Sequence, residues 1–66
     1  MDFKDFLENI SKFKWGLVSA NTYYQNGKEY IYIMVAEKGA TGQFEKREFE
    51  LSYMNVILDE WFETFV

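Results

Sequence analysis

The 66-residue sequence contains no cysteine, no histidine and no proline. The missing cysteine excludes disulfide bonds and thiolate metal sites, and it is compatible with a reducing cytosol. Without histidine or cysteine, the commonest general bases, thiol nucleophiles and zinc ligands are absent. The three serines have no identifiable activating partner, and no calcium-loop pattern is present. The sequence therefore favours a protein that is not an enzyme and that holds no metal or cofactor.

A long apolar run is also lacking. No segment approaches the roughly 20 apolar residues that span a bilayer. The first five residues lack the basic start and apolar core of a signal peptide. We expect a soluble protein that acts in the cytoplasm of a host or infected cell and has no membrane partner.

Aromatic residues are abundant, with seven phenylalanines, five tyrosines and two tryptophans. A chain of this length predicts one small domain, residues 1–66, that buries only about 60% of the surface exposed when it is unfolded. Each aromatic side chain can bury roughly 150–250 Å², which compensates for the small size. Some of this aromatic surface is expected to face outward, because a two-layer domain cannot cover both sides of a sheet.

The net charge of −4 is unevenly distributed. Residues 1–47 contain all seven basic residues, whereas residues 48–66 contain none and carry Glu48, Glu50, Asp59, Glu60 and Glu63. An acidic carboxyl-terminal third argues against contact with phosphate backbones or anionic membranes through that end.

Asn26-Gly27 lies between two runs rich in aromatic and β-branched residues, which predicts a β-hairpin with a two-residue type I′ turn. The strands span about residues 15–24 and 29–37. The turn then sets the cross-strand pairs: Gln25 with Lys28, Tyr23 with Tyr30, Asn21 with Tyr32, and Val18 with Val35.

This register predicts two different sheet faces. An aliphatic face carries Ile31, Ile33 and Val35 together with Val18, Ala20 and Thr22. A tyrosine-rich face carries Tyr30, Tyr32 and Met34 together with Leu17, Ser19, Asn21 and Tyr23.

The connector Lys38–Gly42 determines the register of the third strand, residues 43–51. A five-residue loop places Ile33 opposite Arg47 and Ile31 opposite Phe49, so that Phe49 and Leu51 join the aliphatic face. A four-residue loop exchanges the faces, because a slip of one residue reverses every side chain. We favour the five-residue loop, because it gives the helices the smoother surface to pack on.

Apolar residues at helical spacing predict an amphipathic helix over 2–13, with Phe3, Phe6, Leu7, Ile10 and Phe13 on one stripe. A second helix is predicted over 53–65, with Ser52 as its N-cap. Its apolar stripe comprises Met54, Ile57, Leu58, Trp61 and Phe65. The expected fold is α+β: helix, three-stranded antiparallel meander, helix, with both helices on one face.

The first strand has no charge between Trp15 and Gly27. Natural edge strands are usually protected by charge, proline or a bulge. We therefore expect strand 15–24 to be covered by the first helix or to pair with a partner's strand or a second copy.

A flat, tyrosine-rich and partly acidic surface suits protein recognition, because aromatic residues bury a large area at small entropic cost. An acidic surface also suits a partner whose own site is basic. The candidate partner-binding residues are Asn21, Tyr23, Tyr30, Tyr32, Met34, Phe44, Glu48, Glu50, Asp59, Glu60 and Glu63.

Residues 23–62 bear a resemblance to a known class of proteins. Tyr24-Gln25-Asn26-Gly27, a glycine-containing second turn, a charged third strand ending in Phe49, and Trp61-Phe62 in the following helix resemble the small phage-encoded anti-CRISPR proteins. The chain differs in having a long amphipathic helix before the sheet. The resemblance implies a phage or mobile-element inhibitor that binds a host nuclease or defence protein and blocks its nucleic-acid site or its motion.

The leading hypothesis is thus a non-enzymatic protein-binding inhibitor that acts through the tyrosine-rich face and the acidic closing helix. One alternative is a small structural or regulatory homodimer, which would associate through strand 15–24 or through the tyrosine-rich face. Another is a single-stranded nucleic-acid binder that stacks bases on tyrosines. Glu48 and Glu50 disfavour this alternative, because stacking platforms are normally surrounded by lysine and arginine.

Overall fold

The computed structural model of the protein describes residues 1–39 and 42–66. Its elements are the helix α1 (Phe3–Ser11), the strands β1 (Trp15–Gln25), β2 (Lys28–Glu37) and β3 (Phe44–Glu50), a single 3₁₀ turn (Leu51–Tyr53) and the helix α2 (Met54–Phe62). The strands form one antiparallel sheet in the order β1-β2-β3. The predicted α-β-β-β-α fold of the α+β class is confirmed.

Helix α1 begins and ends close to the predicted positions. The Asp2 carboxylate accepts a hydrogen bond of 2.8 Å from the Asp5 amide, which caps the first turn. Phe6 and Ile10 are buried. Phe13 lies in the turn after the helix and is 41% exposed, but its ring contacts that of Phe62 edge-on at 6.0 Å.

The first hairpin has the predicted turn. Asn26 and Gly27 have φ values of 54° and 77°, as a type I′ turn requires. The pairs Gln25–Lys28, Tyr23–Tyr30 and Asn21–Tyr32 are all present.

The predicted pairing of Val18 with Val35 is wrong. Leu17 is opposite Val35, Ser19 is opposite Met34, and Val18 is the extra residue of a β-bulge. Val18 is 51% exposed and does not join the core as predicted. Leu17 shares the face of Val35, not the tyrosine-rich face, because cross-strand partners lie on the same side of the sheet.

The bulge has a clear structural role. Without it, strict alternation would place Trp15 on the face away from the helices. With it, the Trp15 ring packs edge-on against Phe65 at 5.0 Å and adds to the core.

The second hairpin has the register predicted for a five-residue loop. Ile33 is opposite Arg47 and Ile31 is opposite Phe49. The Glu37 amide donates a 3.2 Å hydrogen bond to the Gln43 carbonyl at the base of the connector. Residues 40 and 41, in the middle of the connector, lie outside the described residues.

The prediction of Ser52 as an N-cap is wrong. Leu51–Tyr53 form the 3₁₀ turn, Tyr53 precedes the first residue of α2, and no side-chain hydrogen bond caps that helix. Leu51 is partly buried against the core. The helical turn thus begins at Leu51, two residues before the start at Tyr53 that Ser52 as N-cap would give, and Ser52 remains exposed.

Both helices pack on the aliphatic face of the sheet. The buried residues come from all but one of the main elements: Phe6, Ile10, Ile31, Ile33, Val35, Phe49, Leu58 and Trp61. The rings of Phe6 and Trp61 stack with centroids 4.9 Å apart and join α1 to α2. Burial of two large rings at the helix contact supplies much of the apolar area that so short a chain needs.

Candidate protein-binding surface

The face of the sheet opposite the helices is uncovered in the described part of the chain. We call it the tyrosine face; it comprises Ser19, Asn21, Tyr23, Gln25, Lys28, Tyr30, Tyr32, Met34, Ala36, Phe44, Lys46, Glu48 and Glu50. Alternation along each strand places these side chains together, because their cross-strand partners share one side of the sheet. The sheet-borne part of the predicted partner surface is therefore contiguous.

Two tyrosines and a glutamate form an ordered cluster on this face. The rings of Tyr23 and Tyr30 are stacked, with centroids 5.4 Å apart and planes inclined by 15°. The Tyr23 hydroxyl donates a 2.8 Å hydrogen bond to Oε2 of Glu48. This bond reaches from β1 across β2 to β3 and so connects all three strands.

The hydrogen bond also changes the acidity of Tyr23. The bond to the Glu48 carboxylate, with smaller effects from burial and from the negative charge of Glu48, raises the pKa of Tyr23 above its ordinary value of 10.0. Tyr23 is thus a neutral hydrogen-bond donor throughout the physiological pH range.

The other residues of the tyrosine face form cross-strand pairs of aromatic or apolar side chains with charged ones. Tyr30 is opposite Glu50, Tyr32 is opposite Glu48, and Met34 is opposite Lys46. Phe44, opposite Ala36, lies at the far end of the face and is 56% exposed. The surface therefore combines rigid rings with two carboxylates and with two ammonium groups, those of Lys28 and Lys46.

The predicted acidic residues of α2 lie on the opposite side of the molecule. Asp59, Glu60 and Glu63 are exposed in the helical layer. Asp59 accepts a hydrogen bond of 2.5 Å from the Met1 ammonium group, which also donates to the Asn55 carbonyl at 3.3 Å. A single flat partner surface cannot contact both this helix and the tyrosine face.

The sequence did not indicate two further features. The Arg47 guanidinium lies 5.3 Å from the centre of the Trp61 ring, a cation–π contact on the helical side of the sheet. The carboxyl half of β1 extends beyond the helices, so that every residue from Ala20 to Lys28 is exposed. The uncharged run 15–27 marked this strand as unusual, but only the structure shows which half is uncovered.

Within residues 1–39 and 42–66, no group of three or more acidic side chains is arranged to hold a metal ion. In the same part of the chain, neither helix has the length and apolarity needed to cross a membrane.

Comparison of the chain with protein-family models, with curated proteins and with solved structures finds no match.

Proposed function

We propose that the protein is a non-enzymatic inhibitor that binds another protein through its tyrosine face. The observation that carries the proposal is the Tyr23–Tyr30–Glu48 cluster, which is ordered although no other part of the described chain packs on it. Stacking and the 2.8 Å hydrogen bond fix the two rings before any partner arrives. A partner would therefore gain aromatic contact at little further entropic cost.

The carboxylates beside the rings of the tyrosine face favour a basic group on the partner. Glu48 and Glu50 flank Tyr32 and Tyr30, whereas the two bases of this face within the described strands, Lys28 and Lys46, lie toward its two ends. Arginine fits such a surface well, because its planar guanidinium group both stacks on tyrosine and pairs with carboxylates. Proteins that bind nucleic acids present such side chains in their binding sites.

The proposed partner is thus a host nuclease or defence protein whose nucleic-acid site the tyrosine face would occupy. The resemblance of residues 23–62 to the small phage-encoded anti-CRISPR proteins supports a phage or mobile-element origin. Under this proposal the inhibitor acts in the cytoplasm of the infected cell. Its action requires binding alone and no catalytic group.

Pull-down from host lysate, followed by competition with nucleic acid, tests the proposal. We expect the captured partner to be a nucleic-acid-binding protein that is displaced by its own DNA or RNA. Tyr32→Ala should weaken partner binding about tenfold or more, because aromatic residues at the centre of an interface carry most of its binding energy.

The matched control is the double variant Glu60→Gln/Glu63→Gln, which changes two exposed carboxylates on the opposite layer. We expect it to change the affinity by no more than about twofold, since only long-range electrostatics are affected. Unchanged binding by Tyr32→Ala would contradict the proposal. Salt-sensitive binding of oligonucleotides by the protein itself, without a partner, would favour the single-strand alternative instead.

A further inference from the structure

The open edge of the sheet at β1 is suited to pairing with another strand, an interaction that the proposed function does not include. β1 and β3 are the two edge strands of the described sheet. β3 is protected by charged side chains at five of its seven positions, from Glu45 to Glu50. β1 has no charged residue along its length. Edges of this kind expose unpaired backbone groups that can bind another strand.

Only one half of β1 is unprotected. In the amino half, the bulge at Val18 interrupts the ladder, and Trp15 packs on the core. In the other half, from Ser19 to Gln25, the ladder is regular, and residues 20–25 are exposed. These residues include no proline and no glycine that would weaken strand pairing.

The turn determines which backbone groups of β1 are free. In a two-residue hairpin the residues that flank the turn, here Gln25 and Lys28, form a hydrogen-bonded pair. Hydrogen-bonded and non-hydrogen-bonded pairs then alternate along the ladder. Ala20, Thr22 and Tyr24 occupy the non-hydrogen-bonded positions with β2. Their amide and carbonyl groups therefore point out of the free edge.

We propose that this edge pairs with the same edge of a second copy of the chain. Antiparallel pairing about a twofold axis at Thr22 brings Thr22 opposite Thr22 of the second copy and Ala20 opposite its Tyr24. All three free residues of each strand then form hydrogen-bonded pairs. If the register shifts by two residues in either direction, one of the three free residues has no partner. If it shifts by one residue, the free backbone groups lie opposite groups that already bind β2.

The composition of the strand supports a second copy as the occupant. In a twofold antiparallel contact each strand pairs with the identical strand of the second copy. A charged residue near the axis would therefore face a like charge. The run from Trp15 to Gly27 contains no charge, and the acidic residues of α2 lie in the helical layer. Ala20 opposite Tyr24 also pairs a small side chain with a large one.

The resulting dimer has one continuous sheet of six strands. The twofold axis is perpendicular to the sheet, so both tyrosine faces lie on the same side of it. Asn21 of each copy is then opposite Tyr23 of the other at the junction. The two Tyr23–Tyr30 stacks become parts of a single surface.

Hydrogen exchange of the unmodified protein provides the first test, with the monomer–dimer equilibrium followed by sedimentation from micromolar to millimolar concentration. Increasing concentration should slow amide exchange at Ala20, Thr22 and Tyr24. The amides of Asn21 and Tyr23, already bonded to β2, should change little. A monomer over the whole range, or a dimer without this alternation, would overturn the proposal.

A charge at the twofold axis provides the second test. Thr22→Lys should raise the dissociation constant of the dimer about tenfold or more, because two like charges meet at the axis. Ser52→Lys is the matched control, since it adds the same charge at an exposed position of the 3₁₀ turn, outside β1, and should leave the constant unchanged. Circular dichroism checks that both variants are folded. Equal effects of the two substitutions would show that net charge alone is responsible and would refute the proposed edge.

Discussion

At the scale of single residues, Glu48 both holds Tyr23 in place on the tyrosine face and raises its pKa. Its carboxylate accepts the Tyr23 hydroxyl at 2.8 Å, and its neighbour across the ladder is Tyr32. The bond holds Tyr23 against Tyr30 and keeps the hydroxyl protonated. Because the protonated form is favoured in the folded state, the stabilisation is present at neutral pH and is lost as the pH rises through the raised pKa of Tyr23.

Glu48→Gln should therefore lower the pKa of Tyr23 toward its ordinary value of 10.0. The amide still accepts a hydrogen bond, but it lacks the negative charge that disfavours tyrosinate. An NMR titration of the tyrosine ring signals measures this change. Glu50→Gln is the control, because Glu50 is opposite Tyr30 and makes no hydrogen bond with Tyr23. If Glu48→Gln left the pKa of Tyr23 unchanged, the hydrogen bond would not be the cause of the shift.

At the scale of elements, the bulge in β1 allows one strand to satisfy two requirements. From Ser19 onward the strand follows the alternation that the turn imposes and places Asn21 and Tyr23 on the tyrosine face. Before Val18 the alternation is reversed, so that Trp15 reaches Phe65 at 5.0 Å. A single inserted residue thus places a large ring in the core without disturbing the hairpin.

Deletion of Val18 should destabilise the protein by about 2 kcal/mol or more, because it moves Trp15 out of the core or forces the ladder to slip. Urea denaturation measures the loss, and an NMR contact between the rings of Trp15 and Phe65 reports the position of the tryptophan. Val18→Ala keeps the bulge and changes an exposed side chain, so it should alter the free energy of unfolding by no more than about 0.5 kcal/mol. A deletion variant that retained both its stability and the ring contact would show that the bulge is not needed.

These elements also show how far the sequence predicts the structure. Asn26-Gly27 fixed the hairpin, because few residues tolerate two successive positive φ values. The register of β3 followed from the aliphatic pattern of β2. The bulge was not predictable from either, because it depends on contact between Trp15 and Phe65, which are far apart in the sequence. The hydroxyl of Ser52 predicts a cap, but the turn begins at Leu51, which packs against the core, so that Ser52 lies within the turn and not before it.

The candidate site was predictable to a similar degree. Placement of Tyr30, Tyr32 and Met34 on one face follows from alternation alone. The bond between Tyr23 and Glu48 does not, since it joins β1 to β3 across the strand between them. Charge alone assigns the acidic side chains of α2 to the same partner surface as the tyrosine face, but charge carries no information about the layer in which a helix lies.

At the scale of the whole molecule, the helices at the two ends of the chain form one layer and the sheet forms the other. Phe6 of α1 stacks on Trp61 of α2 at 4.9 Å. The free faces therefore differ: one layer presents the acidic residues of α2, and the other presents the tyrosine face. The proposed partner would contact the face of the sheet and the proposed second copy would pair with its edge, so a dimer would present two copies of the tyrosine face at once.

The contact between the terminal helices also has a consequence for the order of folding. The turn at Asn26-Gly27 joins neighbouring segments and can form within microseconds, whereas we expect α1 and α2 to meet only after the intervening chain is arranged. We expect Phe6→Leu to accelerate unfolding several-fold with little effect on the folding rate, because its contacts form after the rate-limiting barrier. Gly27→Ala should instead slow folding, since alanine is strained at the φ of 77°. Stopped-flow kinetics in urea distinguish the two, and slower folding of the Phe6 variant would show that the two ends of the chain meet early.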